Sequence, residues 1–422
     1  MKESYHIMNP IKPRFQVDDH KIVIFGAGKI GRSFIGQLFG SGGYNVVFVD
    51  VNPVIVDLLN TRRSYKVVIK GDVDHEITIS NVQAIPGHDK EKVADSVATA
   101  GILAVSVGKN AIEKVIPLIA SGLQSRYKHE PFCPLDIIIA ENMRDASDFM
   151  KEQLAASLPA DFPIETFVGL IETSIGKMVP IMTPAELEKD PLMVFAESYN
   201  TLILDRKGFK SQIPDIKGLA PKENIKAWVD RKAFIHNLGH ATAAYYGNYQ
   251  HPEAIYMFEI LDDKDVFTFT REVMVQSAFT LSRAYPHDYT FDDLLEHIDD
   301  LLMRFRNKAL KDTIYRVGSD LTRKLGSDDR FAGALHLADL MGTTSDKILK
   351  AMSYGLFFTA KDEKGNNFPE DIKFLDSVKK DFELAFTELL DLNPVKDRQI
   401  ILQLKEACLK EKDRIKRDKG IA

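Results

Sequence analysis

Cysteine is almost missing. Cys133 and Cys408 are the two in 422 residues; they form no disulfide framework and fit a reducing, cytoplasmic setting. Long apolar runs are lacking as well. No segment nears the ~18 uninterrupted apolar residues of a membrane span, and the opening MKESYHIMNPIKPRFQVDDH has no apolar stretch of secretory type. Nor is there an excess of positive charge: 55 Lys and Arg stand against 61 Asp and Glu, a net charge of -6. A nucleic-acid binder needs a basic stripe for phosphates, so neither nucleic acid nor membrane is expected as a partner. What remains, 45% apolar and 27% charged residues, is the profile of a globular chain. Its length suggests two or three domains, each with its own core.

Residues 1–20 read as an extension, because Pro10 and Pro13 break any helix there. Strand-like and helix-like runs then alternate: KIVIF (21–25), a glycine turn entering a helix, NVVFVD (45–50), VIVDLLNTRR (54–63), GILAVSVG (101–108), NAIEKVIPLIASGLQSR (110–126), LDIIIAEN (135–142), a helix from MRDASDFM, and a strand over IETFVGLIETSI (164–175). YKVVIKG and HEITISNV look like an inserted hairpin. Alternation of this kind predicts an α/β domain with a mostly parallel sheet. After Pro180 the texture turns helical, with i, i+3, i+4 apolar spacing in 223–248 and beyond. The expected division is an N-terminal domain over 21–190 and a mainly helical domain over 191–422. The tail from Lys396 is amphipathic, with Ile400, Leu404, Ala407 and Cys408 on one face.

Gly26-Ala27-Gly28-Lys29-Ile30-Gly31 is G-x-G-x-x-G, placed directly after a strand and opening a helix. The first glycine permits the tight turn, the second lets backbone approach a pyrophosphate, and the third allows close helix-strand packing. Anionic phosphates then meet the free N–H groups at the helix start. Asp50 ends the next strand, where an acid bonds the ribose hydroxyls and repels a 2′-phosphate, favouring NAD over NADP. A triphosphate-binding loop fits less well, since Arg32 stands where its lysine belongs.

DRKAFIHNLGHATAAYY carries Lys232, Asn237 and His240. At about 100° per residue they share roughly half of a helix otherwise rich in apolar side chains. A lysine buried there has a lowered pKa and suits general-base work on an alcohol; the bland alternative is a solvent-facing lysine beside two structural polar residues. His236 and His240 also stand at zinc-binding spacing, but residue 237 is Asn rather than Glu, no third ligand is apparent nearby, and no metal is expected.

These pieces together make the chain resemble the polyol-specific long-chain dehydrogenases/reductases, the mannitol dehydrogenase family. FGAGKIGRSFIG, AENM (140–143), RKAFIHNLGHATAAYYG and RFRNKALKDTIYRVGSDLTRKLGSDDR (304–330) carry the likeness. The resemblance implies a Rossmann-type domain, a helical domain, and an active site in the cleft between them. It implies Lys232 as general base, Asn142 and Asn237 polarising the reacting oxygen, and His240 positioning the substrate. NAD would lie on Gly26, Gly28, Lys29, Ile30, Gly31, Asp50, Gly108 and Asn142. Arg304 matches a substrate-contacting arginine, and Lys177 joins it and His240 as a substrate-binding candidate; several further basic residues, Arg231 among them, cannot be ranked. The implied partner is a polyol and its ketose or their phosphate esters, with mannitol 1-phosphate the best match; a neutral polyol, a hexonate, or an NAD-binding sensor without turnover are the alternatives. Gly176-Lys177 replaces the family's Asp-Arg, and Leu238 replaces a small polar residue, which suggests an altered pocket lining.

Overall fold

The computed structural model describes residues 15–71 and 73–418, so most of the extension expected over 1–20 lies outside the described residues. The first strand starts earlier than KIVIF, at Asp18. An eight-stranded sheet is built from β1 (Asp18–Phe25), β2 (Asn45–Asp50), β5 (Val82–Pro86), β6 (Ala100–Val105), β7 (Leu135–Ile139), β8 (Val168–Ser174), β10 (Leu202–Asp205) and β11 (Leu219–Lys222), in the order β11-β10-β8-β7-β6-β1-β2-β5. Its six strands from β5 to β8 are parallel; β10 joins β8 antiparallel. The strand order reverses between β1 and β6, which opens a crevice beyond their carboxyl ends.

The strands read as unbroken apolar runs because both faces are covered. Ile22, Ile24, Ile102 and Ile138 pack into one core, and Val23, Phe25, Leu103 and Ile137 into the core on the opposite face. The expected hairpin is β3 (Ser64–Ile69) with β4 (His75–Ser80), and β9 (Val194–Ala196) completes a three-stranded sheet. Over 164–175 the structure differs from the expectation: Ile164–Phe167 is a helical turn and only the remainder is strand. Pro163 sets the turn, and Phe167 is buried at its end.

The helical half carries its own core, in which Leu238, Ala241, Met274, Leu301 and Phe331 are buried. The tail helix Arg398–Asp418 packs onto it through Ile401, Leu404 and Cys408, with Ile400 partly buried. The eight-stranded sheet runs to Lys222, past the position near 190 where the sequence texture changes. Strands of three or four residues, as β9 to β11 are, have too few positions to show alternation. Among the described residues no helix is long and apolar enough to cross a membrane.

Candidate active site

The glycine turn joins β1 to a helix that opens with a wide, π-type turn over Gly31–Gly36. Gly26 sits at φ +94°, and a Cβ there would lie 2.5 Å from the Ser106 carbonyl oxygen. At Gly31 a Cβ would lie 2.0 Å from the Gly26 carbonyl oxygen. Gly28 differs: a Cβ would meet nothing within 4 Å, and Gly28 and Lys29 are exposed. Two glycines are thus required by packing, and the middle one borders open space on the side where a phosphate would approach. The Ala27 N–H donates to Asp50 Oδ2 at 2.6 Å, and the Asn52 N–H to Oδ1 at 2.8 Å. Arg32, which argued against a triphosphate loop, is buried and donates to the carbonyls of Ala27, Pro191 and Leu192, pinning the turn to the segment before β9.

Beyond the carboxyl ends of β6 and β7, Gly108 adopts φ +87° and its N–H donates to the buried Glu141 carboxylate at 2.7 Å. That bond ties the loop after β6 to the end of β7 and presents Asn142. From the helical half, Lys232 Nζ donates to Asn142 Oδ1 at 2.5 Å. Lys232, Asn237 and Asn142 line one cleft of about 480 Å³ between the two halves, with Ser174, Asp329 and Arg330 on its walls. Burial pulls the Lys232 ammonium down to about 8; Arg330 adds to the fall and Asp329 opposes it. The helix is locally widened into a π-type turn over Lys232–Asn237, between Ile225–Arg231 and Leu238–Gln250. Such turns cluster at functional sites. Arg330 also donates to the Asn237 carbonyl at 3.3 Å, holding that turn against the cleft wall.

Three residues picked from sequence lie elsewhere. His240 stands behind the cleft and does not line it: its ring stacks on Phe305 at 4.4 Å and Nε2 is 3.4 Å from Asp312. A uniform 100° per residue does not hold through the π-type turn, so the arc drawn from Lys232 fails there. Lys177 is also off the cleft. Its ammonium is buried over the Phe34 ring, bonded to Gln37 and Asn200, and pulled by burial to about 7. Arg304 is near, on a narrow recess next to Lys232, but its guanidinium is occupied by the Glu197 carboxylate at 2.7 and 2.8 Å and by the Gly176 carbonyl at 2.6 Å. Leu238 is fully buried in the helical core.

The structure adds residues that sequence reading passed over. These are Tyr199 and His297, which line the recess with Arg231, left unranked among the basic residues, and His236, weighed there only as a zinc ligand; Ser174 and Lys232 are shared between recess and cleft. His236 was available to the sequence argument, one helical turn after Lys232. Tyr199 and His297 had no such signal, since they reach the site from separate segments.

Two family descriptions match the chain: the mannitol dehydrogenase Rossmann domain over residues 20–218 and the mannitol dehydrogenase C-terminal domain over 224–417. Among solved structures, the fold is similar to a mannitol 2-dehydrogenase of Pseudomonas fluorescens in ternary complex with NAD and D-mannitol, at TM-score 0.71 and 15% identity, covering 97% of this chain and 93% of that one. It is similar also to a D-sorbitol dehydrogenase in substrate-free form, at TM-score 0.75 and 15% identity, covering 97% and 96%.

Proposed function

The chain belongs to the mannitol dehydrogenase family, and on that premise we propose that it is an NAD-dependent polyol dehydrogenase whose substrate is a polyol phosphate, with mannitol 1-phosphate and fructose 6-phosphate as the exchanged pair. The observation that carries this reading is the Lys232–Asn142 contact: a lysine of lowered pKa from the helical half meets a strand-end amide of the dinucleotide-binding half inside one cleft.

The glycine turn from Gly26 to Gly31 and the Asp50 carboxylate would hold the dinucleotide, and the open space at Gly28 fits a pyrophosphate. When bound, NAD supplies the acceptor, or in its reduced form the donor, of a hydride. In polyol oxidation, neutral Lys232 takes the hydroxyl proton on Nζ as the C–O bond acquires carbonyl character; in ketose reduction the ammonium returns it. Asn142 uses its amide oxygen on Lys232, which leaves its NH2 as a donor toward the substrate oxygen. Asn237, on the same cleft wall, supplies a second amide, so charge building on that oxygen meets fixed dipoles. In this reading the proton is handled by Lys232 and no metal takes part. Arg323 and Arg330 also line the cleft, but Asp320 and Asp329 hold them, so the choice of a phosphate ester rests on the sequence resemblance.

Oxidation of NADH on addition of fructose 6-phosphate is the expected result, with Lys232→Ala removing it. A preference for fructose or a hexuronate would displace the phosphate ester. NAD binding with no turnover of any ketose would leave a sensor in place of an enzyme.

A further inference from the structure

Of the two guanidiniums that line the recess beside Lys232, one has no ion pair among the described residues. Arg304 is paired bidentately with Glu197. Arg231, on the opposite side, forms no ion pair among the described residues; its Nε is buried without a hydrogen-bond partner, and its plane lies over Trp228 at 4.3 Å. Asp293, the carboxylate whose charge reaches Arg231, is already engaged by the Thr290 N–H and hydroxyl. A half-buried cation whose Nε is shut off from water without a partner is costly unless a ligand completes it.

Lys232 aside, the other polar groups that line the recess are neutral donors, and none is an acid. Tyr199 presents its phenol and stacks under Arg304 at 4.4 Å. His236 and His297 complete the wall, both held far below the usual imidazole range, first by burial, with His240 and Arg304 adding to the fall at one and Arg231 at the other. Arginine with imidazole and phenol donors is a set that binds oxyanions. The free space is about 10 Å³, room for a single water-sized atom. An anion's leading oxygen would therefore enter between Arg231, Tyr199 and His297, with the rest of the group outside the recess.

We infer that Arg231, with Tyr199 and His297, is the seat of the substrate's terminal anionic group, and that the substrate is an acidic sugar derivative anchored there while its reacting hydroxyl faces Lys232. The inference rests on the proposed dehydrogenase activity and names the part of its site that reads the charge. Phosphate ester and carboxylate share this chemistry.

The test measures kcat/KM for NADH-dependent reduction of fructose 6-phosphate, a ketohexuronate and fructose, in the wild type, Arg231→Gln, Arg231→Lys and His297→Asn. The wild type is expected to favour the anionic ketoses, and the better of the two identifies the anion. Arg231→Gln is expected to cut kcat/KM for that substrate about 10- to 100-fold, mainly through KM, with fructose little changed; this is the size of a lost charge-assisted hydrogen bond. Arg231→Lys should recover part of the loss. Equal losses on fructose and the anionic ketose, or a wild-type preference for fructose, would overturn the assignment. If the wild type reduces none of them, the activity fails but the seat is still tested: calorimetric binding of inorganic phosphate to the wild type and not to Arg231→Gln supports it, and equal or absent binding to both sinks it.

Discussion

Lys232 gives a quantitative test of the proton-transfer assignment. A free lysine titrates near ~10.4, while burial beside Arg330 brings this one to about 8. A base of that strength is about 9% deprotonated at pH 7 and about 91% at pH 9, so kcat/KM for polyol oxidation should rise about tenfold and level off. An unperturbed lysine would instead give a rise of about a hundredfold with no plateau. Ketose reduction draws on the ammonium form and should fall about tenfold across the same interval. The neighbours supply a second handle with a defined sign. Arg330→Met removes a charge that depresses the lysine and should move the midpoint up; Asp329→Asn removes one that supports it and should move the midpoint down. The assay is initial rates in both directions at fixed ionic strength from pH 6 to 10. A wild-type midpoint near that of free lysine, or a Lys232→Met enzyme that keeps the wild-type profile, would refute the reasoning.

Gly28 and Gly31 should part company under the same change. Gly28→Ala is expected to leave Tm unchanged and weaken NAD binding, whereas Gly31→Ala, whose Cβ would press on the Gly26 carbonyl, is expected to lower Tm as well; thermal melts and NAD titration separate them. Asp50→Ser is expected to narrow the preference for NAD over NADP, and further if an arginine is introduced beside it, measured as the ratio of kcat/KM for the two cofactors. Asp312 resists burial, which pushes its carboxyl up, because His240 and Arg316 bring it down to about 2. Its folded value lies below the unfolded ~3.9, so its stabilisation is full above that point and lost as pH falls toward 2. Asp312→Asn should therefore cost about 2 kcal/mol at pH 7 and flatten the fall in stability between pH 4 and 2, read by urea titration.

The first β-α-β unit was legible because every signal in it is local: apolar strand, three glycines at fixed spacing, and an acid at the end of the next strand. Lys232 and Asn237 were read from their spacing on one helix and Asn142 from the family resemblance, and the cleft brings all three together. The readings that failed needed information that sequence does not carry one residue at a time. Lys177 looked like a free cation, yet Gln37 and Asn200, distant in the chain, take it into the interior. Arg304 looked like a substrate ligand, yet Glu197, 107 residues away, occupies it. His240 was placed by assuming a uniform helix, and a π-type turn intervenes. The burial of Arg126, which caps the carbonyls of Ala98, Ala100, Cys133 and Pro134, gave no sequence signal at all.

The Arg304–Glu197 pair has a mechanical consequence. Arg304 lies in the last turn of the helix Phe291–Phe305 of one half, whereas Glu197 and the Gly176 carbonyl belong to the other; Glu197 is buried and Arg304 partly so. Parting the halves would break the guanidinium's bonds to Glu197 and to the Gly176 carbonyl, but it would also let water reach both charges, and hydration offsets much of that loss. The pair is therefore a peg more than a bolt: it sets the register in which the two halves meet, and with it where Lys232 stands against Asn142.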